Sequence, residues 1–517
     1  MDMDMMLKAL FTGDSSMKKH MGFWIRAVAL VLLVAVGLAG INQLLEPEYF
    51  ITNPWPTTAT FLGFYEMERD TVDVLFLGSS HAAAAFSPQE LYDDYGITSY
   101  NLGSEQQNLL ITYYWLKEAL HYQSPKAVVL DCLMLFSYIP GEVLNTAEGF
   151  GRKAIDPMRW GAVKREAIAD ICARDKKQSA ASYYFTNLRF HSRWTDLQRE
   201  DFSYDMLSSH YELKGYNAGM GFPEKPQHFA HLPFDAASSQ EKEEPREIML
   251  EYLNKILQLC RENGIEVILV KTPTGGERAS VQRYNAEQEI AQANGLALYD
   301  FNERALWEAI DFNGMEDLDT DSEHLNFSGA SKITHYLGKI LTEEYEVAPR
   351  QHSAYESTRQ YYQGIANNFR MQSNTDLYSY LEQIDHPRYT VFLSVKGDAS
   401  GAWNDDLQQK LEALGLTGDL WQADASYYAI ISEGEVVAEE TGKQRLQRAG
   451  AVQGGLLRYE IVSGGTGTGN TASIKISGAE HSRNSRGINI VVYDNYLWKV
   501  IDSVTFDTHD AELEATR

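Results

Sequence analysis

Cysteine is scarce: the chain of 517 residues has three, Cys132, Cys172 and Cys260. That number is too small and too odd for a disulfide scaffold. No two of them have the spacing of metal ligands, so neither a stapled domain nor a metal site is expected. Cys132 falls in an apolar run and Cys260 on a helical pattern, where a thiol behaves as a small buried hydrophobe. Basic charge is the second shortage. The 45 Lys+Arg stand against 72 Asp+Glu, a formal net charge of -27. Such a surface has no basic patch for phosphate backbones, which excludes nucleic acid as a partner, and it keeps the protein soluble. A chain this long exceeds a single core and implies two or three domains.

One long apolar run is present. Phe23 to Ile41 is broken only by Arg26 and follows Lys8, Lys18, Lys19 and His20. About 20 apolar residues cross a bilayer, and Arg26 lies near enough to the end to snorkel. The basic flank stays inside, so residues 1–21 read as a cytoplasmic tail, 22–45 as a single transmembrane anchor in the cell membrane, and the remainder as extracytoplasmic. The alternative is a cleaved signal peptide, for which Gly37 and Ala39 are small enough, although the run is longer than the usual apolar region of a signal. Residues 46–70 carry Pro47, Pro54 and Pro56 and read as a stalk.

Strands and helices then alternate. Val72 to Leu77, Thr98 to Leu102, Ala127 to Phe136, Ile265 to Val270 and Leu296 to Tyr299 read as five strands. Helical spacing appears between them, in Leu109 to Leu120, in the stretch from Pro245 to Gly264, in Val281 to Ala293 and in Ile333 to Leu341. This grammar predicts an α/β unit with a parallel sheet covered by helices on both faces. In such sheets ligands bind beyond the carboxyl ends of the strands.

The first strand ends in V-D-V-L-F-L-G-S-S-H, Val72 to His81. A serine on the sharp turn leaving a buried parallel strand stands clear at the sheet edge, which makes Ser80 the candidate nucleophile; the bland alternative is an ordinary strand-ending turn. Far along the chain, Asp321-Ser-Glu-His324 places a carboxylate three residues before an imidazole, ahead of an amphipathic helix. Nucleophilic catalysis needs a base to take the serine proton and an acid to hold that base in the right tautomer. Ser80, Gly103 and the Asp321 to His324 loop all follow predicted strand ends, so three distant segments converge on one edge. The backbone N–H groups of Ser80 and Gly103 suit an oxyanion hole. Asn101, Gln106 and Gln107 are near enough to add a third donor or to act as caps. His81 either contacts substrate or is a partly exposed turn histidine, and Glu323 is expected to point to solvent.

These blocks resemble a family. Gly78-Ser79-Ser80, Asn101-Leu102-Gly103 and Asp321-x-x-His324 look like the first, second and fifth blocks of the SGNH (GDSL-like) esterases and acyltransferases, over roughly Thr71 to Tyr345. Gly-Ser-Ser in place of Gly-Asp-Ser is most similar to the D-alanyl transfer protein of teichoic-acid modification and to the alginate-type O-acetyltransferases. The resemblance implies a flavodoxin-like sheet, a Ser80–His324–Asp321 triad and no cofactor. The family's third block, Gly-x-Asn-Asp, should fall near Val128 to Phe136, which reads V-V-L-D-C-L-M-L-F. The asparagine donor is missing or replaced, which implies a weakened esterase.

Within residues 71–345 an insertion, 137–244, carries Tyr183 to Trp194. Arg189, His191, Arg193 and Trp194 are candidate substrate contacts, because exposed aromatics beside Arg and Asn187 suit stacking on sugar rings, and Asn101 of the second block is a further candidate contact. The same stretch reads equally as a helical subdomain with its own small core. Residues 346–387 read as a partly helical linker. From Arg388 short strands alternate with glycine-rich turns, so 388–512 reads as an all-β domain. Its segments Tyr389 to Ser400, Leu414-Gly415, Ser485 to Ile490 and Val504 to His509 resemble the interleukin-like EMT inducer (ILEI) domain, a lectin-like β-sandwich, which implies carbohydrate binding.

Three functions fit these observations. The first is a membrane-anchored O-acyltransferase moving an acyl group to a cell-wall or exopolysaccharide glycan, with a multi-span membrane acyltransferase as partner. An esterase with the same triad is the second. The third is an inactive glycan-binding scaffold.

Overall fold

The structure is a computed structural model that describes residues 15–46, 57–137, 148–197, 213–216, 233–274, 280–319, 323–418, 420–509 and 513–517. Strands β1 (Val74–Leu77), β2 (Ser99–Asn101), β3 (Ala127–Asp131), β4 (Glu266–Lys271) and β5 (Ala297–Asp300) form one sheet in the order β2-β1-β3-β4-β5. All four pairings are parallel. The near-continuous apolar runs of these strands have a simple cause: both faces are covered. Val74, Phe76, Val129, Ile268 and Val270 join a core with the helices Pro88–Tyr95 and Phe327–Glu343. Their neighbours Leu75, Leu77, Val128, Leu130 and Leu269 join a second core with the helices Leu109–Ala119 and Glu247–Asn263.

Two strand and helix limits follow from single residues. Gly264, at φ 68, ends the helix Glu247–Asn263 as expected, since an L side chain at that φ would be strained. β3 stops at Asp131, five residues earlier than the apolar pattern predicts, because the Asp131 carboxylate accepts from Leu133 N–H at 3.1 Å and turns the chain into a short 3-10 helix, Leu133–Leu135.

Segments expected to be peripheral contribute to the cores. Within the expected stalk, Thr57–Glu66 is a helix whose Phe61 stacks on Trp115 at 4.0 Å and whose Thr60 carbonyl accepts from Tyr100. In the insertion, Ala154, Ile155, Val163, Ile168, Ile171 and Tyr183 join the main core instead of forming a separate one. Residues 213–216 lie along the free edge of β2, where Asn101 N–H donates to Lys214 O at 2.8 Å.

The expected second unit is built from β6 (Tyr389–Lys396), β7 (Ser426–Ser432), β8 (Glu435–Gly442), β9 (Leu446–Val452), β10 (Leu457–Gly464), β11 (Thr471–Ile476), β12 (Ala479–Glu480), β13 (Gly487–Asp494), β14 (Lys499–Phe506) and β15 (Ala515–Thr516). They form one curled mixed sheet. β8-β7-β6-β13-β14-β15 makes one lobe and β9-β10-β11-β12 the other, joined through a parallel bridge between Lys396 and Gly464. Phe392, Ile430 and Val491 of the first lobe pack against Tyr459, Ile461 and Ile474 of the second. The first lobe's outer face is closed by the helices Leu377–Ile384 and Asp405–Ala413.

Residues 346–387 are bound at both ends. Tyr355 OH donates to Ser99 O at 2.5 Å on the parallel-sheet side, and Tyr380 OH donates to Asp502 at 2.8 Å on the β side. The N-terminal helix Ser15–Leu45 contains an apolar stretch, Met21–Asn42, none of which is buried in the protein.

Candidate functional site

β1 delivers the chain to the carboxyl edge of its sheet, and Gly78 turns it there. Its φ is 151°, and a Cβ at this residue would lie 2.5 Å from Asp131 Cβ, so only glycine lets β1 and β3 converge so closely. Ser79 caps the following helix, Ser80–Ala85, by accepting from His81 N–H. Ser79 Oγ donates to Asp131 Oδ2 at 2.8 Å, and Ser79 N–H reaches the same oxygen at 3.3 Å. Ser80, on the helix's first turn, therefore points elsewhere than its neighbour.

Ser80 Oγ lies 2.9 Å from His324 Nε2, across 244 positions of sequence. Both side chains are nearly enclosed, at 4% and 9% exposure. His324 is fixed from its two sides. Its carbonyl accepts from Asp319 N–H at 2.8 Å, while Leu318 and Leu325 form an antiparallel bridge. Asn326 caps the helix Phe327–Glu343 by accepting from Gly329 N–H, and its amide donates to Glu316 O and Leu318 O. Asp321, the carboxylate assigned to orient the imidazole, lies outside the described residues. Glu323 is half-buried, not open to solvent as expected.

His81 differs from the exposed-turn expectation. It is buried, its ring is 4.5 Å from that of His324, and its Nδ1 is 3.3 Å from Thr272 Oγ1 just beyond β4. The burial comes from β4, whose end rises beside the turn.

The second block is wound tightly around the first. Gly103 packs so close that a Cβ would sit 2.7 Å from Ala83 N. Its N–H, expected to face a developing oxyanion, donates instead to Asn101 Oδ1 at 2.9 Å. Asn101, a candidate substrate contact, is fully buried, with its amide donating to Ala82 O at 2.7 Å and Phe86 O at 3.0 Å. A side chain whose amide clamps the backbone behind Ser80 has no face left for substrate. Gln107 donates to Leu102 O and Thr112 Oγ1, while the following helix is capped by Asn108, whose side chain accepts from Ile111 N–H. Gln106 lies on the intervening turn at φ 55.

The residues that sequence reasoning missed are Ser79, Asp131 and Thr272. Asp131 had a visible signal, a lone carboxylate closing an apolar strand at the functional edge. Burial pushes its carboxyl above the ordinary range, against the hydrogen bonds from Ser79 and Leu133 that pull it down. Further along the same edge, Lys271 at the end of β4 lies 3.4 Å from Glu287 and 3.5 Å from Asp300, all three buried. Burial pushes Glu287 up to about 8. Enclosure from water disfavours the charged carboxylate there more than the neighbouring ammonium favours it.

The aromatic and basic stretch of the insertion is not shown against Ser80. Arg189 pairs with Asp156 at 2.5 Å, His191 Nδ1 lies 3.3 Å from Leu188 O, and Arg193 reaches the carbonyls of Leu44, Leu45 and Glu46. Trp194 is exposed. The buried-thiol reading fits Cys132 and Cys260, and burial pushes Cys260 up to about 12. Among the described residues no cluster of His, Cys, Asp and Glu is arranged to hold a metal ion.

No family model and no curated protein matches the chain. Among solved structures, a lipase/acylhydrolase from Enterococcus faecalis is similar at 12% identity with a TM-score of 0.26, over 54% of this chain and 100% of that one.

Proposed function

We propose that the protein is a membrane-anchored O-acyltransferase of the SGNH type, which moves an acyl group, in the first instance acetyl, through a Ser80 acyl-enzyme to a cell-wall or exopolysaccharide glycan. The observation that carries this reading is the 2.9 Å contact between Ser80 Oγ and His324 Nε2 at the carboxyl edge of a parallel sheet. His324 takes the hydroxyl proton as Ser80 attacks the acyl carbonyl, then returns it to the leaving group. An acceptor hydroxyl repeats the sequence in reverse, and Asp321 is the proposed orienting carboxylate. A multi-span membrane acyltransferase on the same membrane is the proposed source of the acyl group, and the C-terminal β unit is the proposed glycan holder.

Transfer is favoured over hydrolysis by the surroundings of Ser80. Its near-complete burial restricts water, and the third strand ends in Asp131 where the family pattern calls for an asparagine donor. One oxyanion donor is commonly worth about 10² to 10³ in turnover. A second reading, an inactive glycan-binding scaffold, is favoured by the Gly103 N–H being engaged by Asn101.

Incubating the full chain with an activated acetyl ester separates these readings. An acyltransferase gains one acetyl mass on the Ser80 peptide and loses it faster to acceptor glycan than to buffer. Equal loss to buffer identifies an esterase. Ser80→Ala and His324→Ala should each abolish the adduct, and both together should cost little more, because members of one catalytic unit are not additive. Absence of any adduct on the unaltered chain leaves the scaffold.

A further inference from the structure

The apolar helix and the insertion meet. Asn187 N–H donates to Asn42 Oδ1 at 3.1 Å, and Arg193 Nη1 lies 3.3 to 3.4 Å from the carbonyls of Leu44, Leu45 and Glu46. Those carbonyls are the unsatisfied acceptors of a helix end, where a guanidinium is favoured by both hydrogen bonding and the helix dipole. A segment destined for removal has no need of such a cap, so the helix is read as a retained span. Met21–Asn42 is 22 residues long, which gives about 33 Å against a hydrocarbon core of about 30 Å.

Around that helix end, the insertion exposes Trp160, Tyr184, Phe185, Leu188 and Trp194, each between 43% and 69% accessible. Trp160 and Tyr184 stack at 5.1 Å. A contiguous apolar patch open to water is unfavourable and marks a surface that is covered in use. What covers it is indicated by the helix itself. Phe23 and Trp24 stand at its first end, and in the sequence Tyr49, Phe50 and Trp55 follow soon after its second. Spanning segments have aromatic residues at both water interfaces, where an apolar ring with a polar edge is at home. The exposed rings of the insertion belong to the segment that holds this helix end through Asn187 and Arg193, which puts them at the same water interface.

We propose that Trp160, Tyr184, Phe185, Leu188 and Trp194 form a lipid-docking patch that seats the folded part on the bilayer crossed by Met21–Asn42, at the headgroup level of the leaflet where that helix emerges. The catalytic unit is then held at a fixed height on the membrane and does not swing on a free tether. The inference rests on the anchor reading and not on the acyl chemistry.

Spin labels on the full chain test it, in vesicles of mixed phosphatidylcholine and phosphatidylglycerol. In a Cys172→Ser background, where the other two thiols are buried, cysteines are introduced as Leu30→Cys, Phe185→Cys, Leu188→Cys and Val437→Cys. Position 30 should be reached by oxygen and shielded from a water-soluble nickel complex, and 437 the reverse. Positions 185 and 188 should show several-fold less nickel access than 437, at a depth near the phosphates. Nickel access at 185 and 188 equal to that at 437, with 30 deep in lipid, would overturn the docking patch and leave the anchor standing. Water access at 30 would remove the anchor and the patch together. Shielding of 188 from both reagents, with spin–spin broadening between molecules, would put a second copy on the patch and overturn the lipid assignment.

Discussion

Ser79 gives both its N–H and its hydroxyl to one oxygen of Asp131, at 3.3 and 2.8 Å, and this distinguishes two adjacent serines that the sequence leaves alike. The tethered one is a bracket. Its neighbour Ser80, one residue along the helix, faces His324.

Replacing the bracket should therefore slow the chemistry without removing the nucleophile. In Asp131→Asn an amide N–H must face either Leu133 N–H or the Ser79 donors, and a hydrogen bond to a charged acceptor is worth about 1.5–3 kcal/mol. Acetyl-adduct formation at Ser80 should fall about 10- to 100-fold, and Ser79→Ala should fall comparably. The double variant should lose less than the product of the two, as coupled neighbours do. A burst-phase mass measurement reads all three rates; unchanged acylation in Asp131→Asn would show that the bracket is inert.

Gly78→Ala tests the geometry one residue earlier. The added methyl meets Asp131 Cβ at 2.5 Å and Ala82 Cβ at 3.1 Å, on a backbone at φ 151°. Overpacking and strain of this kind cost about 1–3 kcal/mol each. Thermal unfolding should shift downward by several degrees. Combining it with Asp131→Gly should recover part of the stability and none of the acylation, which separates the steric effect from the loss of the bracket.

Glu287 supplies a pH dependence. The unfolded chain loses this proton near the ordinary 4.5, the folded chain near 8, so the native state holds the extra proton between those values. The Glu287 contribution to stability thus falls as pH rises through that window and then levels off. Glu287→Gln should flatten the stability–pH profile between about 5 and 8. Urea unfolding at intervals across that range measures the slope; identical slopes in both proteins would refute a raised Glu287.

The β unit should not fold from Arg388 onward, contrary to the domain boundary expected from sequence. Leu377, Tyr380, Leu381 and Ile384 are at most 2% exposed and complete its core. Losing several such side chains at about 2–5 kcal/mol each exceeds the 5–15 kcal/mol that holds a domain together. A fragment of residues 375–517 should show a cooperative transition and one of residues 388–517 should not. Cooperative unfolding of the shorter fragment by near-ultraviolet dichroism would refute this.

The parallel sheet was legible because its strands are short and apolar on both faces, and Val74 to Leu77 feeds two separate cores with alternate residues. Ser80 and His324 could be brought together because each follows a strand or strand-end connection, and strand ends share an edge. Asp131 could not be assigned from the same reasoning. Its partner depends on β1 lying beside β3, a matter of sheet order, and on how near Gly78 allows them. His81 looked exposed because the residue that covers it, Thr272, carries no pattern of its own. The helix Thr57–Glu66 was hidden by neighbouring prolines, although Phe61 and Phe64 already argued for burial.

Asn326 closes both sides of the loop that carries His324: it caps the following helix and holds the carbonyls of Glu316 and Leu318 on the way in. The span between is stapled at its base, and the cost of closing a loop grows only slowly with its length. The aim of the imidazole is thus set at the base of its loop, by a residue only two positions along the chain.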